Sequence, residues 1–221
     1  MMKVTFEMIK NDETIRTYIQ KADESLGSMG FTEHSFAHVT MVAEVAANLL
    51  RELGHDEREV ELARIAGYLH DIGNVINRVD HAQSGAMMAF RLLDNMGAEP
   101  EDIATIITAI GNHDEKTAYP VNSVAAALII ADKTDVRETR VRDKATIGFD
   151  IHDRVNYAVK RASVKLNEEK TEVQLRLNID PAICSVAEYF EIFLDRMLLC
   201  RKAAEKLGVT FMLRINGQKL M

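Results

Sequence analysis

A chain of 221 residues with 47% hydrophobic content can bury one large core, or one core and a smaller neighbour. Its formal charge of −7 argues against non-specific binding of nucleic acid polymers and leaves room only for a small basic pocket. Two cysteines, Cys184 and Cys200, exclude a disulfide framework, and the opening MMKVTFEMIKNDETIR has neither the apolar run of a signal peptide nor that of a membrane span, so a cytoplasmic protein is expected.

Only three prolines interrupt the chain, which favours helices. An amphipathic helix is predicted over 11–28, closing near Gly27 or Gly30. Thr32 reads as the N-cap of a helix from Glu33 to Leu53, stopped by Gly54, with Phe36, Val39, Val42, Val45, Ala46 and Leu49 as its apolar stripe. Asp56 caps a helix over 57–70, and Asp80 caps one over 81–96 that Gly97 closes. Pro100 stands in the first turn of a helix over 100–111, where its missing N–H costs nothing. A sixth helix begins near Asn122 and contains VAAALIIAD.

Beyond about residue 150 the pattern changes. VNYAVKRASVKLN is rich in β-branched residues, and EVQLRLNID alternates with Val173, Leu175, Leu177 and Ile179 on one face. Pro181 opens a long amphipathic helix to Leu207, Gly208 ends it, and VTFMLRING alternates again. Cys184 and Cys200 would share that helix sixteen residues apart, about 24 Å along its axis and out of reach of each other. The fold class expected is mainly α: a helical bundle over 1–148, followed by a small β-β-α-β appendage over 149–221.

Six of the seven histidines fall between residues 34 and 113. His70 and Asp71 end the apolar stretch ARIAGYLHDIG, and Gly73 lets the chain turn sharply after them. His34 and His38, four apart, would share a helix face. Asp132 follows the run VAAALIIA, where an ionised carboxylate is costly without a partner. That partner is either a cation or an ion pair with Lys133, Arg137 or Arg64. Together His38, His70, Asp71 and Asp132 supply two imidazoles and two carboxylates, a set suited to Mn, Fe, Zn or Mg with positions left for water. His81 opens one helix and His113 ends another. Both are candidate ligands of a second ion, or else solvated helix-end histidines.

The order His38, then His70-Asp71, then Asp132 on successive helices resembles the HD-domain metal-dependent phosphohydrolase superfamily. HVTMVAEVA is similar to its first-ligand helix, LHDIGN to its signature doublet and IIADKTDVR to its last-ligand helix. His81 in HAQSGA and His113 in AIGNHDE resemble the branch with binuclear centres, which includes HD-type diadenosine tetraphosphate hydrolases and HD-GYP proteins. The resemblance covers about residues 32–140 and implies an HD-type helical bundle. Asn74 stands where many relatives carry Lys or Arg. The turn Ala118-Tyr119-Pro120 departs from Gly-Tyr-Pro, which turns the reading away from cyclic-di-GMP.

The activity implied is hydrolysis of a phosphoester or phosphoanhydride in a nucleotide-like substrate, with one or two divalent ions. The metal ligands would be His38, His70, Asp71, His81, His113 and Asp132. Asp71 would bridge two ions and orient the nucleophile, and Asp114 would relay a proton. Asn74, Arg78, Lys133, Arg137 and His34 are the candidate substrate contacts. The rival readings are a di-iron oxygenase on the same ligands and a non-enzymatic signalling module. The expected partner is a small phosphorylated molecule rather than a nucleic acid polymer or a membrane. Strands 171–179 and 209–216 offer edges for a homodimer through the appendage.

Overall fold

The computed structural model describes residues 3–221, except the side chain of Thr146. A short helix that the sequence reading did not include, α1 (Phe6–Asn11), precedes α2 (Glu13–Ser28), the helix expected over 11–28; Asp12 leaves the helical conformation between them and caps α2 by accepting the Ile15 N–H at 2.9 Å. The bundle continues with α3 (Phe36–Glu52), α4 (Glu57–Leu69), α5 (His81–Asn95), α6 (Pro100–Gly111) and α7 (Ser123–Lys133). Asp56 and Asn122 cap α4 and α7 with their side chains, and Pro100 is the first residue of α6. Asp80 precedes α5 in the left-handed conformation and makes no side-chain cap.

The start of α3 departs from expectation. Ser35, not Thr32, is its N-cap, so His34 lies before the helix and shares no helix face with His38. Thr32 instead belongs to an irregular segment whose backbone is held from across the fold. The Glu33 N–H donates to Arg140 O at 2.8 Å, and Arg140 Nε donates back to Glu33 O at 3.0 Å.

Helices α3 and α4 cross closely because Gly67 has no side chain: a Cβ there would stand 2.7 Å from Ala43 Cα. That contact is one turn from His70 and just over one turn from His38, and it brings the two rings together. Helix α7 is apolar all round and buried along nearly its whole length. One side meets the bundle core through Ala125, Leu128 and Ala131; the other meets a second core through Ala126, Ile129 and Ile130.

That second core belongs to the C-terminal layer. It comprises α8 (Ile151–Ala158), β1 (Val159–Leu166), β2 (Glu172–Ile179), α9 (Val186–Lys206), β3 (Thr210–Ile215) and the short β4 (Gln218–Lys219). The sheet order is β1-β2-β3-β4, with β2 and β3 parallel across the α9 crossover and the other pairs antiparallel. Val173, Leu175, Leu177 and Ile179 are all buried, as their alternation requires.

Three details correct the sequence reading. The first part of VNYAVKRASVKLN is helical, because Asp150 caps α8 through the His152 and Asp153 amides. Helix α9 starts at Val186 behind a reciprocal Ser185–Glu188 capping box, so Cys184 lies outside it; both cysteines are buried and free. Strand β2 has a neighbour on each side and offers no edge. β1 is one outer strand, and its Lys160, Arg161 and Lys165 discourage pairing with a second copy of itself; on the other side the short β4 covers only the end of β3. Among the described residues no helix is long and apolar enough to cross a membrane.

Candidate metal centre

Three helices deliver the first four donors. His38 comes from the first turn of α3, His70 and Asp71 from the end of α4, and Asp132 from the end of α7. His38 Nε2 lies 3.3 Å from His70 Nε2, 3.6 Å from Asp71 Oδ2 and 3.5 Å from Asp132 Oδ1. His70 Nε2 lies 3.2 Å from Asp71 Oδ2 and 3.6 Å from Asp132 Oδ1. Ligands about 2.1 Å from a common cation stand roughly 3.0–3.5 Å apart, so this spacing is that of a coordination sphere.

A second group shares Asp71. Its other oxygen, Oδ1, lies 3.5 Å from His81 Nε2 and 3.9 Å from His113 Nε2, and the two histidine nitrogens are 3.2 Å apart. The two oxygens of one carboxylate therefore face two donor groups.

All four rings are oriented by the nitrogen that faces away from the site. Nδ1 donates to Asp135 Oδ2 from His38 (2.7 Å), to Gly67 O from His70 (2.8 Å), to Arg78 O from His81 (3.0 Å) and to Ile110 O from His113 (2.6 Å). Carbonyls and carboxylates only accept, so each Nδ1 carries a proton and each Nε2 is the atom turned to the site, the one whose lone pair would take a cation. This donor set fits a divalent cation: neutral imidazoles and ionised carboxylates, each held by an outer partner.

The electrostatics agree. Burial, then the charges of His70 and Lys133, hold His113 down to about 3, and burial also lowers His81, so both are neutral near pH 7. At His70 burial again opposes the charged form, but Asp71 and Asp132 outweigh it and raise the ring to about 10. Without a cation His70 is therefore an imidazolium at neutral pH. Its contribution to stability is complete below 6.5 and disappears as pH rises through about 10. A cation must displace that proton. Metal uptake by the metal-free protein at pH 7 is therefore expected to release protons and to tighten as pH rises. Titration calorimetry in buffers of differing ionisation enthalpy reads this directly; binding heat independent of the buffer refutes it.

The proposed substrate contacts divide. His34, Arg78 and Lys133 line a cavity of about 280 Å³ beside the donors. Arg78 Nη1 abuts the second group, 3.3 Å from His81 Nε2, and its guanidinium sits 5.7 Å from the Phe31 ring centre. Lys133 Nζ pairs with Asp132 at 2.5 Å and Glu115 at 3.3 Å, so the ion pair weighed for Asp132 forms alongside its contacts to the histidines.

The other two, Asn74 and Arg137, do not line the cavity, and neither does Asp114, the candidate proton relay. Asn74 is buried and reaches no cavity; its Nδ2 donates to Asp71 Oδ1 at 2.8 Å and fixes that carboxylate. Arg137 forks onto Asp135 at 2.5 and 3.0 Å, so it acts on His38 through Asp135. Asp114 is not among the residues lining the cavity, because the chain turns there, with Thr117 N–H donating to its carbonyl. Replacing Asn74 or Asp135 with Ala is expected to weaken metal affinity about 10–100-fold while the fold persists. A competition titration with a chelating dye checks this.

Sequence reasoning missed Asp135, although an acid three residues after Asp132 in IIADKTD was a usable signal. It also missed Arg140, which is buried and lines the cavity. Arg140 Nε and Nη1 donate to the carbonyls of Glu33 and Asp135, at 3.0 and 2.9 Å, leaving Nη2 without a partner among the described residues. No local pattern announced that α8 and α9 also line the cavity, through Asp150, His152, Asp153, Asn156, Phe193 and Arg196.

Comparison with known proteins follows the same outline. Residues 35–140 match the family model of the HD domain. An uncharacterized protein of Methanocaldococcus jannaschii is 25% identical over 206 residues, covering 82% of this chain and 79% of its own length. The crystal structure of a predicted HD superfamily hydrolase from an uncultured Thermotogales bacterium is 28% identical, with a TM-score of 0.44 over 59% of this chain and 73% of that one. All six donors, from His38 to Asp132, fall inside the matched span, which is an HD domain.

Proposed function

We propose that this protein hydrolyses a phosphoester or phosphoanhydride bond in a small, nucleotide-like substrate, using one or two divalent ions. The observation that carries this reading is the division of Asp71, one oxygen to each donor group, beside a cavity lined by three cationic side chains of the HD domain. Bound at His38, His70, Asp71 and Asp132, and at Asp71, His81 and His113, divalent ions would supply a water of lowered pKa and screen the charge of a phosphoryl oxygen.

The chain's own residues do the rest. Arg140 is pinned by two backbone carbonyls, with Asp135 Oδ2 3.7 Å from its Nη1, and keeps a free N–H₂ for a phosphate oxygen. Arg78 adds a second cation on the side of the Asp71 Oδ1 atom, 3.9 Å away. Lys133 is more fully neutralised by Asp132 and Glu115, and serves chiefly to hold Asp132 in place. His34 donates Nδ1–H to Thr32 O at 2.7 Å, which leaves Nε2 as a proton acceptor at the cavity. A volume of about 280 Å³ lies at the small end of ligand sites, which begin at roughly 300 Å³, and so favours a mononucleotide-sized molecule over a polymer.

The test is elemental analysis of the purified protein, followed by phosphate release from a panel of phosphate esters and anhydrides with each divalent metal. Release with Mn, Zn or Mg supports the proposal. Oxygen consumption with iron and no phosphate release assigns the oxygenase chemistry instead.

A further inference from the structure

The HD domain ends at residue 140, yet part of the cavity wall is built by α8 and α9. Asn156 is the informative residue there. It is buried, only 5% exposed, and its Nδ2 donates to the His152 carbonyl at 2.8 Å. That bond fixes the orientation of the amide, since a carbonyl cannot receive Oδ1. Oδ1 therefore points the other way, with no donor to it among the described residues, in a side chain that lines the cavity. That acceptor is open to the cavity, where a ligand N–H or O–H can reach it.

The surroundings narrow the ligand. Phe193 presents an apolar ring to the same cavity; its centre is 6.3 Å from the His152 ring, and the Arg196 guanidinium lies 4.7 Å over it. Arg196 is held by Glu115 at 2.5 Å, so its charge is already matched. Asp150 and Asp153 line the wall as well and repel a further phosphate. This part of the cavity thus selects a neutral, flat, hydrogen-donating group, whereas Arg78 and Arg140 favour the anion.

We propose that Asn156 and Phe193 form a nucleoside subsite, in which Asn156 Oδ1 accepts a hydrogen bond from the substrate's base or sugar, so that specificity resides outside the HD domain. The proposal rests on the hydrolase reading for its substrate class, but its test does not need turnover. The four common ribonucleosides, without phosphate, are titrated calorimetrically into the full chain. The tightest of them is then compared with analogues lacking one donor each: the 2′-hydroxyl, the 3′-hydroxyl or a base N–H.

In the wild-type protein one deletion is expected to weaken binding at least threefold more than it does in Asn156→Ala. A difference below threefold for every analogue, or no nucleoside binding at all, overturns the subsite. Should Asn156→Ala fail to fold, the side-chain amide resonance of Asn156 in the wild-type protein is followed by NMR. A shift of that resonance on adding nucleoside supports the subsite, and an unmoved signal overturns it. Hydrolysis of p-nitrophenyl phosphate is read separately. Nucleoside binding without phosphate release from any ester would overturn the hydrolase reading and leave the subsite standing; release without nucleoside binding does the reverse.

Discussion

Asp71→Ala is expected to abolish cation binding at both donor groups and to lower phosphate release by more than about a hundredfold, beyond what loss of an outer partner costs. The reason is geometric. Oδ2 lies 3.2 Å from His70 Nε2 and Oδ1 lies 3.5 Å from His81 Nε2, so one carboxylate serves both groups. His38→Ala should cost only the first group and His81→Ala only the second, and elemental analysis of the three variants separates the cases. Circular dichroism should show the fold retained in all three, because the bundle core around Leu69 and Ile72 is untouched. Metal content and turnover in Asp71→Ala equal to wild type would remove the assignment of the centre.

The donors were legible because each offends its surroundings. His38, His70 and Asp71 are almost wholly buried and Asp132 stands in the last turn of a helix buried along nearly its whole length, so the sequence shows polar groups where the helical period demands apolar ones. What surrounds the donors was not legible, for a different reason. Asn74, Arg137 and Arg140 are ordinary polar residues in ordinary polar contexts. Whether such a residue faces the cavity, holds a carboxylate or pins a loop depends on contacts across the chain, such as the 2.8 Å bond from Glu33 to Arg140. The same holds for α8 and α9. Their periodicity predicts a buried face, and it is silent on the fact that the other face of α8 meets a cavity formed by residues 29–34 and 71–140. The start of α3 was misplaced because Thr32 and Ser35 are equally good caps locally. The tie between residues 33 and 140 selects Ser35, and only that choice leaves His34 free to line the cavity.

Gly73 carries the second large effect, and its role differs from the turn that the sequence suggested. Its backbone is not in the left-handed region; what it supplies is space. A Cβ at residue 73 would stand 2.0 Å from His81 O and 2.5 Å from Gly85 N, both backbone atoms of α5. Gly85 faces it from α5 with less crowding, since its own Cβ would lie 3.2 Å from Gly73 N and 3.3 Å from His70 O. The 3-10 turn after Asp71 is therefore docked backbone to backbone on the first turn of α5, and this contact sets the position of His81 relative to Asp71. Side chains can rotate away from an added methyl, but a helix backbone must translate. Gly73→Ala should accordingly cost about 3 kcal/mol or more, at or beyond the upper end of overpacking penalties, and lower the melting temperature by about 6–12 °C. The helix that moves carries His81, so the variant that still folds should keep the first donor group and lose the second. Its metal content relative to wild type, measured beside the thermal melt, distinguishes this from general destabilisation. A variant that melts like wild type and keeps its full metal content would show that the docking of α5 does not position His81.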